Sequence, residues 1–170
     1  MMSIMLLASC SQKKTYDPFN VSPENDSIIE STEDYFEIDF HNTEANVKTI
    51  HVILNDAVGK NAIFDTGCSG LSISKMEYFD LLKEGRIADS DFRGEVQSVM
   101  ADGSVINNVA YNIREIAVTD KNGKVHILND IVATVKDNLG ADILVGTSII
   151  DSWAKHSYTV DLENNVIRFQ

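Results

Sequence analysis

The hydrophobic pattern of the chain changes character near residue 34. From there to the C-terminus, apolar and polar residues alternate in short runs rich in β-branched side chains, the mark of half-buried strands. The alternation predicts strands over 35–41, 47–55, 60–64, 96–101, 105–109, 111–119, 124–128, 130–136, 143–145, 158–162 and 166–169. Turn signals separate them: residues 57–59, Asp102-Gly103, residues 120–123 and Asn164-Asn165. Asp-Gly between two alternating runs is a strong hairpin signal. Helical periodicity is confined to two places. Ser74 followed by Glu77 three residues later forms the sequence of a capping box, so a helix is expected over 75–83, with Gly85 just past its end. A shorter helix is expected over 150–156.

Many short strands, closely spaced turns and little helix predict an all-β fold, a small closed β-barrel more than a sandwich. With 170 residues, 44% of them hydrophobic, the chain has material for one such domain and a tail. No apolar run approaches the length that spans a bilayer.

Residues before 34 are different in kind. Met1 to Ala8 is short and apolar, and it leads into Leu7-Ala8-Ser9-Cys10. An apolar stretch ending on small residues is the pattern of a secretion signal. Leu-Ala-Ser-Cys resembles the lipobox of bacterial lipoproteins, although Met1 to Leu7 has no basic residue. The resemblance implies a signal peptide over 1–9, lipidation of Cys10, and a membrane-anchored protein of the bacterial cell envelope facing the periplasm or the surface. Between residues 15 and 47 there are nine acids and no Lys or Arg, which accounts for most of the net charge of −12. The early part of this window buries too little to offset its ordering entropy, so 10–33 is expected to be a solvated tether and 34–170 the folded domain. An acidic chain without a basic stripe argues against nucleic acid as a partner.

Chemistry concentrates at Asn61 to Ser74, read N-A-I-F-D-T-G-C-S-G-L-S-I-S, where an apolar strand ends on an acid. Three readings compete. Asp65-Thr66-Gly67 is an ordinary turn, or Cys68 is a nucleophile, or Asp65 is a catalytic carboxylate. A cysteine nucleophile needs a histidine close in space. His41, His51, His126 and His156 are scattered, and no cysteine-protease signature surrounds Cys68. The same scatter leaves no metal-binding spacing, and no metal or other cofactor is expected. With Cys10 acylated, Cys68 has no disulfide partner. The carboxylate reading has a physical basis, because an acid at the edge of an apolar core has a protonation sensitive to its neighbours.

Two further stretches bear on that choice. Ala141-Asp142-Ile143-Leu144-Val145-Gly146 sets two apolar residues before a glycine, and the Asp102-Gly103 hairpin lies between the two motifs. This order of Asp-Thr-Gly, hairpin, apolar-apolar-Gly and helix resembles the retropepsin-like aspartic proteases over about residues 47–170. The resemblance implies that family's closed barrel with one or two short helices. It makes Asp65 the catalytic aspartate, Thr66 and Gly67 its loop support, and Ala101, Asp102 and Gly103 the tip of a flap over a peptide or protein substrate. Leu144, Val145 and Gly146 become the structural support of the catalytic loop. Cys68 departs from the pattern, which usually has Ala or Ser there.

The family's chemistry uses two aspartates that share one proton and activate a water. This chain has a single Asp-Thr-Gly, so the resemblance implies a homodimer with Asp65 from each copy on the axis. The alternative is a catalytically inactive domain of the same fold that binds peptides or serves as a scaffold.

Overall fold

The computed structural model describes residues 35–170. Cys10, the expected signal segment 1–9 and the expected tether 10–33 lie outside the described residues. Eleven strands and two helices follow in order: β1 (Phe36–Asp39), β2 (His41–Asn42), β3 (Lys48–Leu54), β4 (Val58–Phe64), β5 (Leu71–Ser74), α1 (Lys75–Lys83), β6 (Phe92–Val99), β7 (Val105–Thr119), β8 (Val125–Lys136), β9 (Ile143–Val145), α2 (Thr147–Ala154), β10 (Tyr158–Asp161) and β11 (Val166–Phe169). The domain is mostly β with two helices, as the alternation predicts. Eight strands pair in the order β2-β3-β4-β9-β5-β8-β7-β6, and β3 also pairs with β7, so the sheet returns on itself. A second sheet, β1-β11-β10, joins the first strand to the last two.

Local chemistry explains where the elements begin and end. At α1 the capping box forms as its sequence predicts: Met76 and Glu77 amides donate to the Ser74 hydroxyl, and Glu77 accepts from the Ser74 amide. Gly85 follows at φ +65°, the left-handed conformation that closes many helices. Elsewhere the boundaries move. The β3–β4 turn falls on Asn55-Asp56, at φ +49° and +51°, and not on 57–59. Two consecutive left-handed residues make the tight hairpin turn whose twist matches the strands. β4 therefore starts at Val58, earlier than expected. β7 runs unbroken for 15 residues through Ala110, and β6 starts at Phe92 rather than 96. The second helix starts at Thr147, three residues before its expected start, for a reason given below.

The core fills the returning sheet. Ile50, Val52 and Leu54 of β3, Leu71 and Ile73 of β5, Ile113 and Ile116 of β7, and Ile149 and Ile150 of α2 are all at most 2% exposed. Each such aliphatic side chain stabilises the fold by roughly 1.5–3 kcal/mol relative to exposure. The smaller sheet is fastened through its β1 edge. Phe36 stacks on His126, with ring centroids 3.6 Å apart, and the Lys121 amide donates to the Glu37 carbonyl. His126 in turn contacts the Asp120 carboxylate at 2.9 Å, and this bond holds the Asp120 carboxyl below the usual carboxylate range.

Candidate active site

β9 is the pivot of the site. It pairs in parallel with β4, which enters the Asp65 loop, and antiparallel with β5, which leaves it. Phe64 lies beside Val145, and the next amide, that of Asp65, donates to the Val145 carbonyl at 3.0 Å. Of the three residues expected to support the loop, Leu144 lies beside Ile63, Val145 lies beside Phe64 and accepts from Asp65, and Gly146 donates to the Gly70 carbonyl. The two motifs lie some 80 positions apart in the chain, and the sheet brings them together.

The far side of the loop is held by α2. A helix begins with N–H groups that have no partner within it. Here no side chain caps them. The amides of Gly146, Thr147 and Ser148 donate instead to the carbonyls of Gly70 (3.1 Å), Cys68 (2.8 Å) and Ser69 (3.1 Å). The Thr147 hydroxyl adds bonds to the Cys68 and Ser69 carbonyls. Backbone approaches so closely that a Cβ on Gly146 would stand 2.5 Å from the Cys68 and Gly70 oxygens. Only glycine fits there.

Within this cradle Asp65 is half-buried at the end of β4. The Gly67 amide donates to its Oδ1 at 2.8 Å, and the Cys68 amide donates to its carbonyl at 3.2 Å. A Cβ on Gly67 would stand 3.2 Å from Oδ1, so glycine keeps that amide within reach without crowding the acid. The Cys68 thiol donates to the Gly70 carbonyl at 3.2 Å and faces its own loop. Thr66 and Gly67 are exposed. A carboxylate held in this way can accept a proton from a water. It cannot at the same moment protonate a carbonyl, which takes a second acid.

Ala101, Asp102 and Gly103 lie elsewhere, at the tip joining β6 to β7. Among the described residues no hydrogen bond links them to the Asp65 loop. β8 supports β7 only as far as the Val109–Val135 pair, and beyond it residues 96–99 and 105–108 pair with each other alone. The result is a two-stranded ribbon projecting from the sheet. Its end exposes apolar side chains, with Val99 72% and Val105 57% accessible. The tip is closed by its own groups. Gly103, at φ +82°, donates to the Met100 carbonyl, and the Ser104 amide donates to Asp102 Oδ1. The Ser104 side chain and amide together hold the Asp102 carboxyl below its usual range.

At the root of the ribbon a cavity of about 450 Å³ opens against α1, lined by Lys75, Tyr78, Val109, Tyr111 and Val135. Tyr78 and Tyr111 share a hydroxyl–hydroxyl bond of 3.1 Å, which pushes the Tyr78 pKa up to about 12. Asp65 does not line this cavity. Among the described residues no cluster of His, Cys, Asp and Glu could hold a metal ion, and no helix is long and apolar enough to cross a membrane. Thr147 is the participant that the sequence reading misses, because its partners are main-chain oxygens far along the chain.

The domain is similar to the crystal structure of a retropepsin-like aspartic protease from Rickettsia conorii, with a TM-score of 0.51 over 79% of this chain and 91% of that one. The two are 17% identical, so the likeness is one of fold, and the fold is retropepsin-like. A weaker likeness, with a TM-score of 0.46 and 12% identity, covers 84% of this chain and 43% of Basic 7S globulin from soybean; it carries no argument. No protein-family model matches the sequence, and no curated protein matches it.

Proposed function

We propose that this protein is an aspartic endopeptidase whose active site forms between two copies of the chain. The observation that carries the reading is the β4–β9–β5 arrangement. It presents Asp65 at a strand end, beside Gly146, on a loop fixed from both sides by main-chain bonds. In this reading the returning sheet is the closed barrel of the fold, and the β6–β7 ribbon is the flap that closes over an extended peptide and excludes water.

Two Asp65 carboxylates facing each other hold one proton between them, because two charges at that distance repel. The ionised member takes a proton from water as the water attacks the peptide carbonyl, and the protonated member donates to the carbonyl oxygen. The titration belongs to the pair. The Leu-Ala-Ser-Cys motif completes the proposal with a lipid anchor at Cys10, a location in the cell envelope, and protein or peptide substrates outside the cytoplasm.

The test is cleavage of a mixed peptide library from pH 3 to 7 by wild type and Asp65→Asn. Asn keeps the oxygen that accepts from Gly67 and loses the acid. Wild-type cleavage at least 1,000-fold above the variant is expected on the scale of a lost essential group. Equal cleavage by both, or none at any pH, would replace the enzyme with the peptide-binding alternative.

A further inference from the structure

The cavity at the root of the ribbon has no part in the chemistry proposed for Asp65. Its floor follows from the strand registers. Glu95 of β6 pairs with Val109 of β7, and Val109 pairs with Val135 of β8. Paired residues carry their side chains on one face, so an acid and two valines run in a row across three strands. Successive positions alternate, which leaves Asn107 and Tyr111 on this face and turns the side chains of Asn108 and Lys136 to the other. Asn108 accordingly donates to the Ser98 hydroxyl at 3.0 Å. Asn108 and Lys136 thus border the cavity with main chain.

α1 supplies the wall, through Lys75 and Tyr78. The Tyr78 and Tyr111 rings lie 4.8 Å apart, tilted by 46°, and the Phe92 ring meets Tyr111 edge-on at 5.4 Å. With its pKa pushed up to about 12, Tyr78 stays a neutral phenol at physiological pH. Three charged side chains border the space. Two of them cancel, because Lys75 Nζ lies 2.6 Å from Asp137 Oδ1. The third, Glu95, takes part in no ion pair among the described residues. An uncompensated carboxylate therefore faces two valines and two phenol rings.

We propose that this cavity binds a small amphipathic amine, one positive charge carried on an apolar stem. The ammonium meets Glu95 and the tyrosine rings, and the stem lies over Val109 and Val135. An anion would face the unpaired carboxylate, and a neutral hydrocarbon would leave it without a partner. The volume of about 450 Å³ falls within the range of small-ligand sites, about 300 to 1,000 Å³. A free alkylamine and the lysine side chain of a peptide both offer this chemistry. The occupant touches the ribbon at Glu95 and Val109, and the body at Tyr78 and Val135. It sits where β8 stops supporting β7, so a bound amine ties the ribbon to the body. The site stands independently of the reading of Asp65.

The test is an NMR titration of the full chain in about 0.15 M salt, where acids scattered over a surface attract amines weakly. The probes are n-pentylamine, Nα-acetyl-lysinamide and the uncharged Nα,Nε-diacetyl-lysinamide. Both amines are expected to bind and to move the ring resonances of Tyr78 and Tyr111, and the diacetyl probe is not. Glu95 is exposed, so Glu95→Gln keeps the fold. It weakens both amines by about 10-fold or more, the scale of a lost charge-assisted bond. Glu163→Gln, at an exposed acid between β10 and β11, leaves binding unchanged.

Either amine bound through Glu95 supports the site, and the tighter of the two tells a free amine from a peptide's lysine. Binding unaltered by Glu95→Gln, equal binding of the diacetyl probe, or no shift at either tyrosine overturns it. None of these outcomes bears on Asp65, whose role the cleavage assay with Asp65→Asn tests separately.

Discussion

The Asp65 loop and the Ala101–Gly103 tip are both short connections between strands, and they are built in opposite ways. The loop is held from outside: β9 takes its first amide, and the amides of Gly146 and of the first two α2 residues take its last three carbonyls. The tip is held only from inside, by two main-chain bonds between Met100 and residues 103 and 104 and by the Asp102 side chain. Long-range main-chain bonds fix a group relative to the core, whereas bonds within a turn fix only the turn's own shape. On the proposed reading the loop presents a carboxylate and has the first kind of hold, while the ribbon opens and closes and has the second.

Two glycines put that difference to its hardest test. Gly146→Ala drives a Cβ into the Cys68 and Gly70 backbone, where no flexible side chain can yield. A loss of about 3 kcal/mol or more is expected from urea unfolding, on the scale of forced overpacking. A loss under 1 kcal/mol would show that the loop is pliable and the contrast false. Gly103→Ala meets open space and strains only its left-handed backbone, a cost of about 1 kcal/mol. Equal effects at both glycines would erase the distinction between the two regions.

The smallest effect is the pH response of the tip. The Asp102 carboxyl is depressed in the folded state, so its contribution is present above the ordinary aspartate value, about 3.9. It is lost as pH falls through the lower folded value. An NMR titration should place the Asp102 midpoint below that ordinary value, with the Ser104 amide following it. A midpoint at or above it would mean that the tip is not closed by this bond.

The parts of the fold that the sequence announces are those whose signal and partner lie within a few residues. The Ser74–Glu77 capping box is one, and the turns at Asp102-Gly103 and 120–123 are others. Asp65-Thr66-Gly67 is visible for the same reason, as a strand that stops on an acid and a glycine. Boundaries fail where the deciding partner is distant. α2 starts at Thr147 because loop carbonyls from 68–70 cap it, and no local pattern around Thr147 records them. The β3–β4 turn shifts because Asn55 and Asp56 both tolerate the left-handed conformation, whereas Gly59, the last residue of the expected turn, lies inside β4. The pairing of β1 with β11 spans almost the whole domain and leaves no periodic trace.

The capping of α2 by the Asp65 loop also sets the order in which the molecule can be finished. A ribosome releases Asp65 well before the partners that hold it, and strand pairing across such separations is slow to form. Until residues 143–148 emerge, the acid sits on an unsupported stretch of chain. The carboxylate gains its fixed position only once β9 and the start of α2 have been made. A nascent or truncated product ending before residue 143 would carry the complete Asp-Thr-Gly motif and no fixed loop.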